Sequence, residues 1–209
     1  MVCPICDGNS FASFRGRSHA QCDSCKSLER HRLIWLFVRP LLSSATSVVH
    51  IAPEACLTKA LRNSGCRYIS GDLVPSKADS KIDIRHMKFQ TGSVDLFICS
   101  HVLEHVLDDF TAMREIVRVL APGGMAILQV PLVGNHTFRD PTANTAEKRK
   151  RAHGQHNHVR VYGELDYAGL LALAGLQYRP ETPTPEQVAS FNLSENSSLH
   201  LCYKPTCNS

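Results

Sequence analysis

Residues 93–131 read SVDLFICSHVLEHVLDDFTAMREIVRVLAPGGMAILQVP. Val94, Leu96, Phe97, Ile98 and Cys99 form a short, almost wholly apolar run, the pattern of a strand buried on both faces of a parallel sheet. Polar side chains begin at Ser100, where such a strand should end. Val106, Leu107, Phe110, Met113, Ile116, Val117 and Leu120 then recur three or four apart, which predicts a helix with one apolar face over residues 106–120. Pro122, Gly123 and Gly124 stop that helix, and residues 125–130 are again apolar enough for a buried strand. The unit is strand, helix, strand with a right-handed parallel crossover. Ligands in such sheets bind beyond the carboxyl ends of the strands.

The flanking segments extend the same sheet. SVVHIA (47–52) predicts a strand, followed by Pro53 and Glu54 and a helix, CLTKALRNSG, ending at Gly65. RYIS (67–70) predicts the next strand, with Gly71, Asp72 and Leu73 at its carboxyl end. An acid in that place holds ribose hydroxyls in nucleotide-binding α/β folds, because one carboxylate accepts from both. Asp72 lies close to the expected distance after the first turn. Asp83 and Ile84 end a short third strand.

The first 32 residues form a separate piece. Cys3, Cys6, Cys22 and Cys25 are spaced C-x2-C-x15-C-x2-C, and each close pair suits a tight turn that points two thiolates at one tetrahedral ion. Little apolar material lies between the pairs, so zinc supplies the stability that burial cannot. Four thiolates close the coordination shell, which makes this one structural zinc ion. Residues 33–45, with Pro40 near the end, read as a helix linking this zinc-ribbon-like module (1–32) to the main domain (46–209). Trp35 and Phe37 are packing residues. Arg30, His31 and Arg32 read as solvated charges at the helix start, or as the lining of a site.

Length and composition agree. A chain of 209 residues, 43% hydrophobic with one Trp, buries one substantial core and a small appendage. The net charge of +4 does not by itself signal DNA or membrane binding. No apolar stretch reaches the roughly 20 residues needed to cross a bilayer, and MVCPIC is not a secretion signal. A soluble, cytoplasmic protein is expected, with no membrane partner.

The segments SHVLEH, LAPGG and LQVP, in this order and spacing, resemble the fourth strand, following helix and fifth strand of class I S-adenosylmethionine-dependent methyltransferases of the type 11-like group. The resemblance covers about residues 45–205. It implies an α/β, Rossmann-like sheet, parallel with an antiparallel closing strand; residues 177–179 and 199–203 resemble that closing pair. It also implies S-adenosyl-L-methionine as cofactor. His50, Ala52, Pro53 and Glu54 occupy the first turn, where the family commonly carries an acid and several glycines; this chain departs from that pattern. Glu54 would accept from the cofactor's ammonium, Asp72 and Leu73 would meet the ribose, Asp83 the adenine amino group and Ile84 the ring. Ser100 and His101 would line the cofactor and acceptor pockets, while Glu104 and His105 fix the loop that follows. Asp95 matches a position with a structural role.

Residues 132–163 form a polar insertion before a helix expected at 165–174. AEKRKRA reads as a helix with a solvated face, whereas HGQHNHVRVYG concentrates three histidines and an arginine. Following the fifth strand, the insertion would cap the acceptor. His156 and His158, with His101, are the candidate proton acceptors; His153 and Arg160 are candidates for binding the acceptor, Arg160 through its planar fork. A second zinc site from His153, His156 and His158, a metal pair from His101 and His105, or a loop that clasps the domain shut are the alternatives. The expected reaction is methylation of O, N or S on a small or medium polar or anionic metabolite, sugars included. A nucleic-acid (RNA) or protein methyltransferase that grips its target with the zinc module is a second reading, and a catalytically idle cofactor-binding scaffold a third. The sequence leaves the oligomeric state open.

Overall fold

A computed structural model describes residues 1–206 of the chain; the last three positions of the 46–209 domain lie outside the described residues. Strands β1 (Phe11–Phe14) and β2 (Arg17–Cys22) form an antiparallel hairpin between the two cysteine pairs. Helix α1 (Glu29–Val38) follows, then β3 (Ser47–Ile51), α2 (Ala55–Asn63), β4 (Arg67–Asp72) and β5 (Ser80–Lys81). The second half runs β6 (Val94–Ser100), α3 (Asp109–Val119), β7 (Leu120–Gln129), α4 (Ala146–His153), α5 (Glu164–Ala174), β8 (Gln177–Glu181), α6 (Pro185–Phe191) and β9 (Leu199–Tyr203). The main sheet has the order β5-β4-β3-β6-β7-β9-β8. It is parallel from β5 to β7, and β9 runs antiparallel to both of its neighbours. This is the Rossmann-like α/β architecture that the sequence predicts.

Alternation along the strands divides the core between the two sheet faces. Val49, Ile51, Phe97, Cys99, Ala126 and Leu128 meet Met113 and Ile116 of α3 and Tyr167 and Leu171 of α5. Val48, Leu96, Ile98 and Ile127 meet Ile34, Trp35 and Val38 of α1 and Leu57 and Leu61 of α2. Helix α1 starts at Glu29 and packs directly on the sheet, so Trp35 is a core residue as predicted. Asp95 accepts from the Ser47 N–H and hydroxyl, each at 2.8 Å, which ties the starts of β3 and β6 together. No helix of the described residues is long and apolar enough to cross a membrane.

Several boundaries differ from the periodicity reading. Helix α3 begins at Asp109 because Asp108 caps it by accepting from Thr111 N–H at 3.1 Å; residues 103–105 before it form a 3-10 turn. The third strand is only two residues long, and Asp83 and Ile84 lie beyond it. Helix α6 has no counterpart in the periodicity; Thr184 caps it and Pro185 opens it.

Arg32 is not a solvated charge. It is fully buried, and its guanidinium donates to Ala20 O (3.1 Å), Ser27 O (2.9 Å), Phe191 O (3.0 Å) and Asn192 O. It also stacks over Phe11 at 5.0 Å. One side chain therefore fastens the hairpin, the start of α1 and the end of α6.

Candidate functional site

The four cysteines converge as their spacing requires. Sγ of Cys3 lies 3.6 Å from Cys25 and Sγ of Cys6 3.6 Å from Cys22, and all four sulfurs fall within 4.8 Å of one another. A tetrahedral ion with Zn–S bonds of about 2.3 Å has sulfur–sulfur edges of roughly 3.8 Å. The two turns are built alike. Asp7 N–H donates to Cys3 O at 2.8 Å and Lys26 N–H to Cys22 O at 2.9 Å, while Asp7 and Lys26 adopt φ of +59° and +61°. The donor set fits zinc with no position open to substrate.

At the carboxyl ends of β3, β4 and β6 lies a cavity of 590 Å³. Ile51, Ile82, Ile84, Val102, Val106 and Leu107 make its apolar wall; Ala52, Asp72, Leu73, Asp83, His101 and His105 also border it. Ala52 takes φ +49°, the left-handed conformation that glycine adopts without strain. The first turn thus keeps a glycine-like backbone without a glycine. Asp72 accepts from Val74 N–H at 2.8 Å through one oxygen. Asp83 is held in a fork by Arg85, at 2.7 and 3.0 Å, which keeps its carboxyl below the ordinary range. Near the end of β4, Gly71 leaves no room for a side chain: a Cβ there would lie 2.8 Å from Ile82 Cβ and closer still to its Cδ1.

Other residues expected to touch the cofactor do not border this cavity. His50 is buried on the opposite sheet face, with Nε2 2.7 Å from Glu54 Oε2 and Nδ1 3.1 Å from Tyr68 Oη. Glu54 also faces His31 Nε2 at 3.6 Å. Burial opposes ionisation of Glu54, but the hydrogen bond and charge of His50 outweigh it and hold the carboxyl below its usual range. Pro53 and Ser100 are likewise set back.

His101 follows β6 at φ +55°. It borders both the large cavity and a smaller one of 190 Å³ lined by Arg30, Gln129, Ser197 and Ser198. Its Nδ1 lies 3.3 Å from Glu104 Oε1. A carboxylate only accepts, so Nδ1 carries the proton and Nε2 is free to take one. Of the basic trio at the start of α1, Arg30 is the member that lines a pocket. Sequence alone does not single it out, because an arginine at a helix start carries no mark of where it points.

The insertion returns along the site as a clasp. Val159 N–H donates to Glu104 O at 2.9 Å and Val161 pairs with Phe138. Tyr162 Oη donates to Asp109 at 2.5 Å. Arg160 is 2% exposed and donates to Leu103, Val106 and Leu107 carbonyls while pairing with Asp109 at 2.9 Å. Its fork is engaged by these groups within the protein, where the sequence reading expects it to bind the acceptor. His156 is exposed and borders none of these cavities. His153 is buried, its Nε2 accepting from Asp140 N–H at 3.2 Å, and with Glu104, His158 and Arg160 it lines a cavity of 450 Å³. Burial lowers the His158 pKa from its ordinary value, and its ring meets that of His105 edge-on at 4.8 Å.

Comparison with known proteins agrees with this geometry. Residues 49–128 match the family described as "Methyltransferase domain". An "uncharacterized methyltransferase" of Mycobacterium sp. (strain JLS) is 35% identical over 104 residues, 46% of this chain and 40% of that protein. The chain therefore spans well under half the length of this curated relative. Among solved structures, YcgJ of Bacillus subtilis superposes with a TM-score of 0.60 at 15% identity, over 84% of this chain and 99% of that one. The 1,6-didemethyltoxoflavin-N1-methyltransferase of Burkholderia thailandensis, solved with 1,6-didemethyltoxoflavin and S-adenosylhomocysteine, gives a TM-score of 0.58 at 16% identity, over 84% and 78% of the two chains. The fold is that of class I methyltransferases.

Proposed function

We propose that this chain is an S-adenosylmethionine-dependent methyltransferase acting on a small polar or anionic acceptor. The observation that carries this reading is the pair of cavities that share His101: a 590 Å³ cavity bordered by Asp72 and an apolar wall, and a 190 Å³ cavity bordered by Arg30. The larger suits a nucleoside, with Asp72 accepting from ribose hydroxyls and Leu73 and Ile84 covering a base. The cofactor supplies a methyl group already activated on sulfonium, so the protein's part is alignment, exclusion of water and removal of a proton.

In the smaller cavity Arg30 recognises an anionic or polar group of the acceptor. His101, oriented by Glu104, takes the acceptor's proton at Nε2. Zinc in the four-cysteine centre is structural; it holds Ala20 of the hairpin and Ser27 after the second cysteine turn against Arg32.

Binding is tested by calorimetry with S-adenosylmethionine, and catalysis by transfer of labelled methyl from it to a panel of polar metabolites. His101→Gln is expected to leave cofactor affinity intact and lower turnover on the order of 10²-fold or more. Arg30→Gln is expected to raise the acceptor KM. Absence of cofactor binding by the wild-type protein overturns the reading, and methylation of RNA in place of metabolites transfers it to a macromolecular acceptor.

A further inference from the structure

We propose that Glu104, His105 and His158 hold a divalent transition-metal ion in the wall between the cofactor cavity and the insertion. One ligand atom from each lies within 4.8 Å of the other two. They come from two segments that the backbone locks together. Glu104 and His105 sit on the 3-10 turn after β6. His158 sits on the returning limb of the insertion, whose Val159 N–H is bonded to Glu104 O at 2.9 Å.

Two details of that wall point to a cation. His105 Nδ1 lies 3.1 Å from Asn157 O; a carbonyl only accepts, so Nδ1 is protonated and Nε2 presents its lone pair. A backbone carbonyl on the second nitrogen is the usual support of a metal-bound imidazole. Glu104, 2% exposed, has its Oε1 beside His101 at 3.3 Å, but its Oε2 has no hydrogen-bond partner. A buried carboxylate oxygen demands a donor or a positive charge. Arg160 on the same limb cannot supply it, because its guanidinium is directed to the 103–107 carbonyls and Asp109.

Two imidazoles and one carboxylate favour Zn²⁺, Fe²⁺ or Mn²⁺ over the all-oxygen sites of Ca²⁺ and Mg²⁺. Three protein ligands leave positions open, unlike the closed shell of the four cysteines. His105 borders the 590 Å³ cavity and Glu104 with His158 the 450 Å³ cavity, so the site lies between two open spaces. The site stands on its own geometry and does not depend on the methyltransferase reading.

The test uses the full chain with its cysteine centre loaded with zinc. Co²⁺ is added, excess is removed by desalting, bound metals are counted by mass spectrometry and the visible spectrum is recorded. The expected result is one Co²⁺ per chain beyond the zinc, with the weak absorption of nitrogen and oxygen ligands and no thiolate charge-transfer band. His105→Ala and His158→Ala should abolish that uptake, and Glu104→Gln should weaken it about tenfold or more, with zinc content unchanged.

No cobalt on the wild-type protein, cobalt accompanied by thiolate absorption, or undiminished uptake by variants that keep the wild-type melting temperature each overturns the proposal. Calorimetry with S-adenosylmethionine on the same sample separates the two readings. Cobalt without cofactor binding sinks the methyltransferase and leaves the site, and cofactor without cobalt does the reverse.

Discussion

The Nε2 of His50 lies 2.7 Å from Oε2 of Glu54, so the first turn of the α/β domain is closed by its own side chains on the sheet face away from the 590 Å³ cavity. His31 approaches the same carboxylate from α1. Burial pushes the His31 imidazole down to about 4 and, independently, the His200 imidazole beside Tyr167 and Tyr178 down to about 4. Both are neutral in the folded protein, whereas the unfolded chain takes up a proton below its ordinary value near 6.5. The unfolded state therefore binds more protons in this window, and stability falls as pH drops from about 6.5 toward 4, by up to roughly 3 kcal/mol per group. The depressed Glu54 carboxyl acts at lower pH, losing its contribution as pH falls through its folded-state value. Urea unfolding at stepped pH measures the slope, and His200→Gln is expected to flatten it. An unchanged slope in that variant would remove His200 from the account.

Ala52 at φ +49° gives a second expectation. An L-residue in the left-handed region costs about 1 kcal/mol or more, partly offset by the unfolded-state entropy that glycine adds. Ala52→Gly is expected to raise stability by up to about 1 kcal/mol, and Ala52→Val to lower both stability and cofactor affinity. Thermal unfolding with and without S-adenosylmethionine reads both effects.

Asp72 presents its carboxylate to the large cavity with one oxygen held by Val74 N–H. Removing it as Asp72→Ala should weaken S-adenosylmethionine binding by about 1.5–3 kcal/mol, the worth of hydrogen bonds to a charged group. Calorimetry at fixed ionic strength is the measurement; unchanged affinity would place the ribose elsewhere.

How far this architecture is legible in the sequence depends on what kind of information each part needs. The β6–α3–β7 unit and the cysteine pairs are written in local spacing, because period and ligand distance are properties of neighbours along the chain. The burial of Arg32 and Arg160 is not, since nothing local to either arginine names carbonyls at Asn192 or Leu103 as its partners. The histidines of the insertion show the same limit. Their number marks the segment, but the register of residues 157–162 along 103–109 decides that His158 faces Glu104 while His156 faces solvent. Helix α6 escapes a periodicity reading because Pro185–Phe191 is too short to display a period.

Arg32 also makes a prediction about metal removal. Its carbonyl partners lie on the side of the cysteine module, at Ala20 and Ser27, and on the domain side, at Phe191 and Asn192. Arg32→Met strands buried acceptors on both sides and is expected to cost about 3 kcal/mol or more. Chelation of the zinc proposed for the cysteine centre should likewise lower the melting temperature of the whole chain. Calorimetric unfolding that splits into a metal-sensitive and a metal-insensitive transition would show the two parts to be independent.

The same arginine sets an order in time. Two of its four carbonyls belong to residues 159 and 160 positions further along the chain, so during synthesis the N-terminal module emerges long before its seat exists. The cysteine turns are local and can close on an ion at once, but Arg32 must wait, charged and solvated, until α6 has left the ribosome. Docking of this earlier segment is thereby a late event of folding, governed by contacts of long sequence separation.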